Sequence, residues 1–175
     1  RGEEKRANGR LVLHRWCQWL SRYHPKGVYD GENEKLHDYN KSAPGFVVDG
    51  LIKPAVASGK HVAILAEEWH TAEVVCRIGD LLRFNGLVDK VLTFWNANNT
   101  FGFDRIDWGR LAHTATITTV SKYMKHVMWN LGVNPLVIPN GIHASLLREV
   151  DEAQVRRLRN SLKTDFLLSK VARWD

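Results

Sequence analysis

His61-Val-Ala-Ile-Leu-Ala66, running into Glu67-Glu68-Trp69-His70-Thr71, is the stretch from which the fold is read. The first six residues form a short apolar run, the pattern of a buried strand. From Thr71 to Phe84 the apolar residues Val74, Val75, Ile78, Leu81 and Leu82 recur on one face at helical spacing. The alternation then repeats. Val91-Leu-Thr-Phe-Trp95 reads as a strand and Asp104 to Ala112 as a short helix. Ala115 to Val120 is rich in β-branched residues and reads as a strand. Ser121 is placed to cap a helix carrying Tyr123, Met124, Val127, Met128 and Leu131. Leu136-Val-Ile138 is a further strand, closed by Pro139-Asn140-Gly141. Short apolar strands alternating with amphipathic helices predict an α/β fold: a Rossmann-like parallel sheet with helices on both faces and right-handed crossovers.

Upstream the reading is less regular. Residues 1–8 are charged and are expected to fray. Residues 9–23 space Leu13, Trp16, Cys17, Leu20 and Tyr23 as a helix would. Residues 24–44, with Gly, Pro, Asp and Asn, predict a long loop. A helix is expected from Gly45 to Ser58, with Phe46, Val47, Leu51, Ile52 and Ala55 on one face. Downstream, residues 151–163 predict a charged helix with Val155, Leu158 and Leu162 inward. Phe166 to Val171 reads as a last strand. The chain opens on Arg1 and stops just past an apolar run, so it is expected to be the interior of a longer protein.

Composition bounds the chemistry. The 175 residues suffice for one core, and 44% hydrophobic with 25% charged residues is ordinary globular usage. No apolar run approaches the ~20 residues of a membrane span, and no secretory signal is visible. Cys17 and Cys76 sit in helix-like apolar patterns, which predicts buried free thiols of a reducing, cytoplasmic compartment. The net charge of +6 favours phosphate-bearing partners or is simply a cationic surface. The seven tryptophans are scattered, so core packing accounts for most, leaving some for a sugar-stacking platform. There is no GxGxxG, no GxxxxGK[ST], no CxxC and no GxSxG.

In parallel sheets ligands bind at the carboxyl ends of the strands. That rule selects Glu67 to Thr71, Asn96 to Phe103, Ser121 to Tyr123, Asn140 to His143, and Arg173. His70 can donate to a sugar hydroxyl or titrate near neutrality, and Glu67 and Glu68 can accept hydroxyl protons. The plain alternative is that the carboxylates serve the helix terminus. Asn96, Asn98 and Asn99 lie past a strand with Phe101, Gly102 and Phe103, and amides pair well with carbohydrate hydroxyls. An Asx turn needs only one of them. Ser121 is read first as a cap and only second as an anion contact. Asn140-Gly141 has the chemistry of a turn. Arg173 can fork onto a diphosphate.

The series Glu68-Trp69-His70-Thr71-Ala72, Trp95-Asn96-Ala97-Asn98, Thr118-Thr119-Val120-Ser121-Lys122-Tyr123, Ile138-Pro139-Asn140-Gly141-Ile142 and Lys170-Val171-Ala172-Arg173-Trp174-Asp175 resembles glycosyltransferase family 4. That is the retaining GT-B group that includes bacterial glycogen synthase. Order and spacing cover residues from about 60 to 175. The resemblance implies an acceptor-side Rossmann-like domain over 1–150, lacking its first strand. It implies a connecting helix at 151–163 and, over 164–175, the opening strand of a donor domain. His70 takes the place of the catalytic cleft histidine. Glu68, Trp69, Asn96, Asn98, Asn99, Ser121, Tyr123, Asn140 and Gly141 line the acceptor or sugar site, and Arg173 meets the donor diphosphate. The substrates implied are a nucleotide sugar and a carbohydrate or lipid-linked acceptor. No metal and no cofactor are implied. The glycine-rich loop and the paired glutamates of the family are absent, so the chain alone is expected to transfer no sugar. Two alternatives stay open. One is a basic module docking on an anionic membrane surface; nucleic acid is disfavoured because Arg156 to Lys163 has no interleaved aromatics. The other is a GT-B sugar-phosphate synthase or phosphorylase.

Overall fold

The computed structural model describes residues 2–27, 29–147, 149–163 and 166–168. They form two compact units, residues 1–139 and 140–175.

The first unit is built on four parallel strands: β3 (Val62–Glu67), β4 (Val91–Ala97), β5 (Thr116–Thr119) and β6 (Leu136–Val137). They lie in sequence order, β3-β4-β5-β6, with Ala66 beside Trp95 and Trp95 beside Ile117. Between them run the helices α3 (Trp69–Phe84), α4 (Trp108–Thr114) and α5 (Lys122–Trp129). Each strand and helix expected from residue 61 to residue 138 is present, with ends moved by a few residues. Ser121 caps α5 as expected, its hydroxyl accepting from the Met124 N–H at 3.1 Å.

The helices cover one face of the sheet. Val62, Ile64, Ala66, Val91, Trp95, Ala97 and Ile117 all point to that face and pack into the two apolar clusters. Trp95, Leu111 and Met128 are fully buried there. The opposite face carries Leu65, Leu92 and Leu136, which are 79%, 66% and 56% exposed. Helices on both faces were expected; among the described residues no second layer forms. The strand order gives the reason. Every crossover steps in the same direction, so crossovers of one hand lay every helix on the same side.

α3 and α4 are clasped closely. A Cβ on Gly79 would meet the Thr114 methyl at 2.3 Å. Arg110 on α4 donates to Glu73 at 3.0 Å and also to Asp80. Hydrogen bonds from Arg110 and then Arg83 hold the exposed Asp80 carboxyl below the ordinary carboxylate range. The clasp is therefore complete above the ordinary carboxylate range and loosens as pH falls through the lowered value. Cys76 is buried on α3, and burial pushes its thiol up to about 11, as suits an inert core residue.

The first sixty residues depart from the sequence reading. Residues expected to fray form β1 (Gly2–Arg6), paired antiparallel with β2 (Leu11–Arg15), where a helix was expected. Asn8 and Gly9 turn the hairpin with φ of 55° and 80°, the Asn-Gly signature of a tight hairpin turn. Cys17 is half-buried in the link after β2, not on a helix. The expected loop at 24–44 contains the 14-residue helix α1 (Glu32–Gly45). Gly31, at φ 68°, starts this helix where turn chemistry alone had suggested a loop. Pro44 lies inside the helix and cannot donate to the turn before it. The helix continues as π turns over Phe46–Ile52 and then as α2 (Lys53–Ala57). Val48 and Ile52 are buried there, whereas Leu51, expected inward, is 46% exposed.

The second unit holds α6 (Glu152–Leu162), the helix expected at 151–163. It is capped by Asp151, whose carboxylate accepts from Ala153 and Gln154 N–H. Val155 is half-buried, but Leu158 and Leu162, expected inward, are 52% and 48% exposed. Phe166–Leu168 forms no strand, and the remainder of that expected strand, with Arg173, lies outside the described residues. No helix among the described residues is long and apolar enough to cross a membrane.

The one-sided core makes a sharp prediction. Leu111→Ala should cost about 2–5 kcal/mol of stability as a core cavity. Leu92→Ser, on the open face, should change it by less than about 0.5 kcal/mol. Urea unfolding followed by circular dichroism measures both, and an equal loss in the two variants would mean that the open face is covered in solution.

Candidate functional site

The junction of β3 and α3 brings several polar groups together at the carboxyl end of a strand. Glu68, the residue between them, has φ 67° and ψ 158°. That conformation is close to glycine-only and costs about 1–3 kcal/mol in a side-chain-bearing residue. Four neighbours hold it. The Glu68 N–H donates to the Asn96 carbonyl at 3.1 Å. The Glu68 carbonyl accepts from the Trp95 indole at 3.2 Å and the Thr71 hydroxyl at 2.9 Å. Its carboxylate accepts from Asn99 Nδ2, 3.1 Å from each oxygen. Held this way, the backbone turns abruptly and delivers Trp69 and His70 as the first residues of α3.

His70 sits in a closed ring of contacts. Its Nε2 lies 3.1 Å from Glu32 Oε1 on α1. An ionised carboxylate only accepts, so Nε2 carries the hydrogen and a neutral ring keeps Nδ1 as an acceptor. The imidazole stacks on Trp69 with centroids 3.8 Å apart. The Arg105 guanidinium lies 4.5 Å from the centroid of that indole. Arg105 closes the ring at Glu32, 3.6 Å from its second oxygen. Trp69 is buried, and its indole N–H has no partner among the described residues. Gly102, at φ 70°, lets the loop after β4 lie against Trp69; a Cβ there would meet the indole at 2.4 Å.

Beside this ring opens a cavity of about 310 Å³, lined by Cys17, Tyr29, Glu32, Lys35, Tyr39 and His70. The volume is at the small end of ligand pockets. Burial, with a smaller contribution from Cys17, pushes the Tyr39 phenol upward, so it stays a neutral donor and acceptor. Lys35 donates to the Asp30 carbonyl at 2.6 Å. The cavity thus offers aromatic walls, one carboxylate and an imidazole, a set suited to a small hydroxylated ligand.

The sequence-selected residues divide. Glu68, Trp69, His70 and Asn99 come together at the junction. Asn96 and Asn98 stand next to it but bond to one another, Asn96 donating to the Asn98 carbonyl oxygen at 3.1 Å. Asn96 also accepts from Thr118 at 2.8 Å, so its amide ties β4 to β5. Asn99 makes the Asx turn that a plain reading of the loop allowed, accepting from the Phe101 N–H at 2.8 Å. Ser121 is spent on its helix cap, and Tyr123 is 74% exposed. Asn140 and Gly141 are exposed and belong to the second unit. Arg173 lies outside the described residues. Sequence reasoning missed Tyr29, Glu32, Lys35, Tyr39 and Arg105. The first four lie where a loop was expected, and no spacing rule ties residue 32 to residue 70.

Comparison of the chain with protein-family models, with curated proteins and with solved structures finds no match.

Strain at Glu68 has a direct signature. Glu68→Gly and Glu68→Ala both remove the carboxylate, but only alanine keeps a Cβ at positive φ. The glycine variant should be the more stable by about 1 kcal/mol. Thermal unfolding of the pair tests this, and the reverse order would show that the positive φ is not kept in solution.

Proposed function

We propose that this chain is the acceptor-side part of a retaining glycosyltransferase of GT-B architecture, taking a sugar from a nucleotide-diphosphate donor to a carbohydrate or lipid-linked acceptor. The observation that carries the reading is the fixed imidazole of His70, held by Glu32 and Trp69 at the carboxyl end of a parallel strand, beside a cavity of one sugar's scale. The order of the sequence motifs around it supports the same reading.

In this reading the cavity receives a hydroxylated ring. Tyr29 and Tyr39 wall it, while Glu32 and His70 supply polar contacts. Retaining transfer must stabilise a departing diphosphate and an electron-poor anomeric centre. Groups that orient the sugar without moving during the reaction contribute most when their own geometry is already fixed. The ring of Glu32, His70, Trp69 and Arg105 is such a fixed set. Glu68, strained and anchored by Asn99, sets the direction in which the histidine leaves the strand. The donor diphosphate is assigned to Arg173.

In the full protein carrying both halves of the cleft, His70→Ala should lower turnover about a hundredfold in a glycosyl-transfer assay, and lower it more than it weakens donor binding. Binding of free monosaccharides and oligosaccharides to the chain, followed by ligand-observed NMR, should weaken in parallel. Turnover and sugar binding both unchanged in the variant would remove His70 from the site.

A further inference from the structure

A second depression lies on the far side of α1 from the His70 cavity. It measures about 450 Å³ and is lined by Trp19, Asn33, Glu34, His37, Asp38 and Lys41. The five helix residues form one stripe, because positions three and four apart share a helix face. Trp19 lines the depression with the stripe and is 46% exposed. Its indole N–H, the Asn33 amide, the His37 imidazole and the Lys41 ammonium make no hydrogen bond to other described residues. The Glu34 carboxylate accepts from the His24 ring, 2.9 Å away.

The chemistry of the lining narrows the ligand. An exposed indole offers a flat apolar surface with one donor at its edge. Around it stand acceptors at Glu34 and Asp38, donors at Lys41, and groups at Asn33 and His37 that do both. Two carboxylates on the stripe oppose an anion, so a phosphate or nucleotide fits poorly. A neutral polyol with one apolar ring face fits: the ring lies on the indole and its hydroxyls meet the mixed polar stripe.

The placement adds a second argument. The cavity takes residues 32, 35, 36 and 39 of α1, and the groove takes 33, 34, 37, 38 and 41. The segment after β2 borders both, with Cys17 in the cavity and Trp19 in the groove. The two depressions therefore lie on opposite faces of one helix, and a chain joining them runs round it, a path of roughly 15–20 Å for a helix about 10–12 Å across. That is beyond the reach of a single sugar ring and within the reach of a short chain of them.

We infer that the Trp19 groove is a second saccharide subsite, holding the part of a chain-like acceptor that extends away from the His70 cavity. The inference rests on the glycosyl-transfer reading above and gives that acceptor its class: an oligosaccharide or polysaccharide end, not a lone sugar.

Calorimetric titration of the 175-residue chain with glucose, maltotriose, maltoheptaose, cellobiose, cellohexaose, mannobiose and mannohexaose tests it. In at least one series, affinity should rise about tenfold with length, the equivalent of one well-stacked ring. Trp19→Ala should abolish that rise and leave the short sugars unaffected. Trp19→Phe, which keeps an aromatic face, should restore most of it. Because Trp19 is half exposed, circular dichroism should show both variants folded. Affinity that does not change with length, or a length dependence that survives in Trp19→Ala, overturns the inference. Length-independent binding that is lost in His70→Ala overturns the groove alone and leaves the glycosyl-transfer reading standing. Absence of binding by every probe removes both.

Discussion

The hydrogen bonds from the Trp95 indole to the Glu68 carbonyl and the Thr71 hydroxyl join the core to the site. Trp95 is fully buried at the centre of the larger apolar cluster. A buried indole N–H without a partner is costly, so the tryptophan must find an acceptor where it stands. It finds one in the carbonyl of the residue that connects β3 to α3. That bond fixes a peptide whose φ is unfavourable, and the strained peptide sets where α3 begins. Packing in the core and geometry at the cavity mouth therefore depend on the same side chain.

Residues 61 to 138 were legible because each element there announces itself by period. Strands such as Val62–Glu67 are short and apolar, and α3 repeats its apolar residues every three or four. The beginning of the chain was not legible for a physical reason. β1 and β2 bury little, so their sequences do not alternate between apolar and polar. The Asn8-Gly9 turn was the available signal, and charge around it obscured it. α1 is mostly polar, burying only Ala43 and Pro44. Its Gly31, Asn33 and Pro44 resemble loop residues until the helix is seen to start on the first and run past the last.

The site was legible at its anchor and hidden in its partners. His70 could be selected because the carboxyl end of a strand is where parallel sheets bind ligands. Glu32 and Arg105 could not be, since they reach His70 and Trp69 from 38 and 36 residues away through tertiary packing. The amides of the loop after β4 carry a different lesson. Asn96, Asn98 and Asn99 bond to Thr118, to one another and to Glu68. Three amides together looked like ligand chemistry; the structure uses them to brace the strained junction. Both uses follow from the same property, a donor and an acceptor on one short side chain.

Strand order explains why the cavity is built from α1 and not from a crevice between crossovers. A doubly wound sheet reverses direction once, and the gap at the reversal receives the ligand. β3 to β6 run in sequence with no reversal, and their helices close together on one face. What remains is the margin of that layer, where β3 is an edge strand and α1 lies against α3. A helix at such a margin has one flank against the core and others available to ligands. α1 keeps its apolar residues few and places Glu32, Lys35 and Tyr39 on one flank and Asn33, His37 and Lys41 on another. The polarity that makes α1 hard to recognise as a helix is the same property that lets it carry two ligand-facing surfaces.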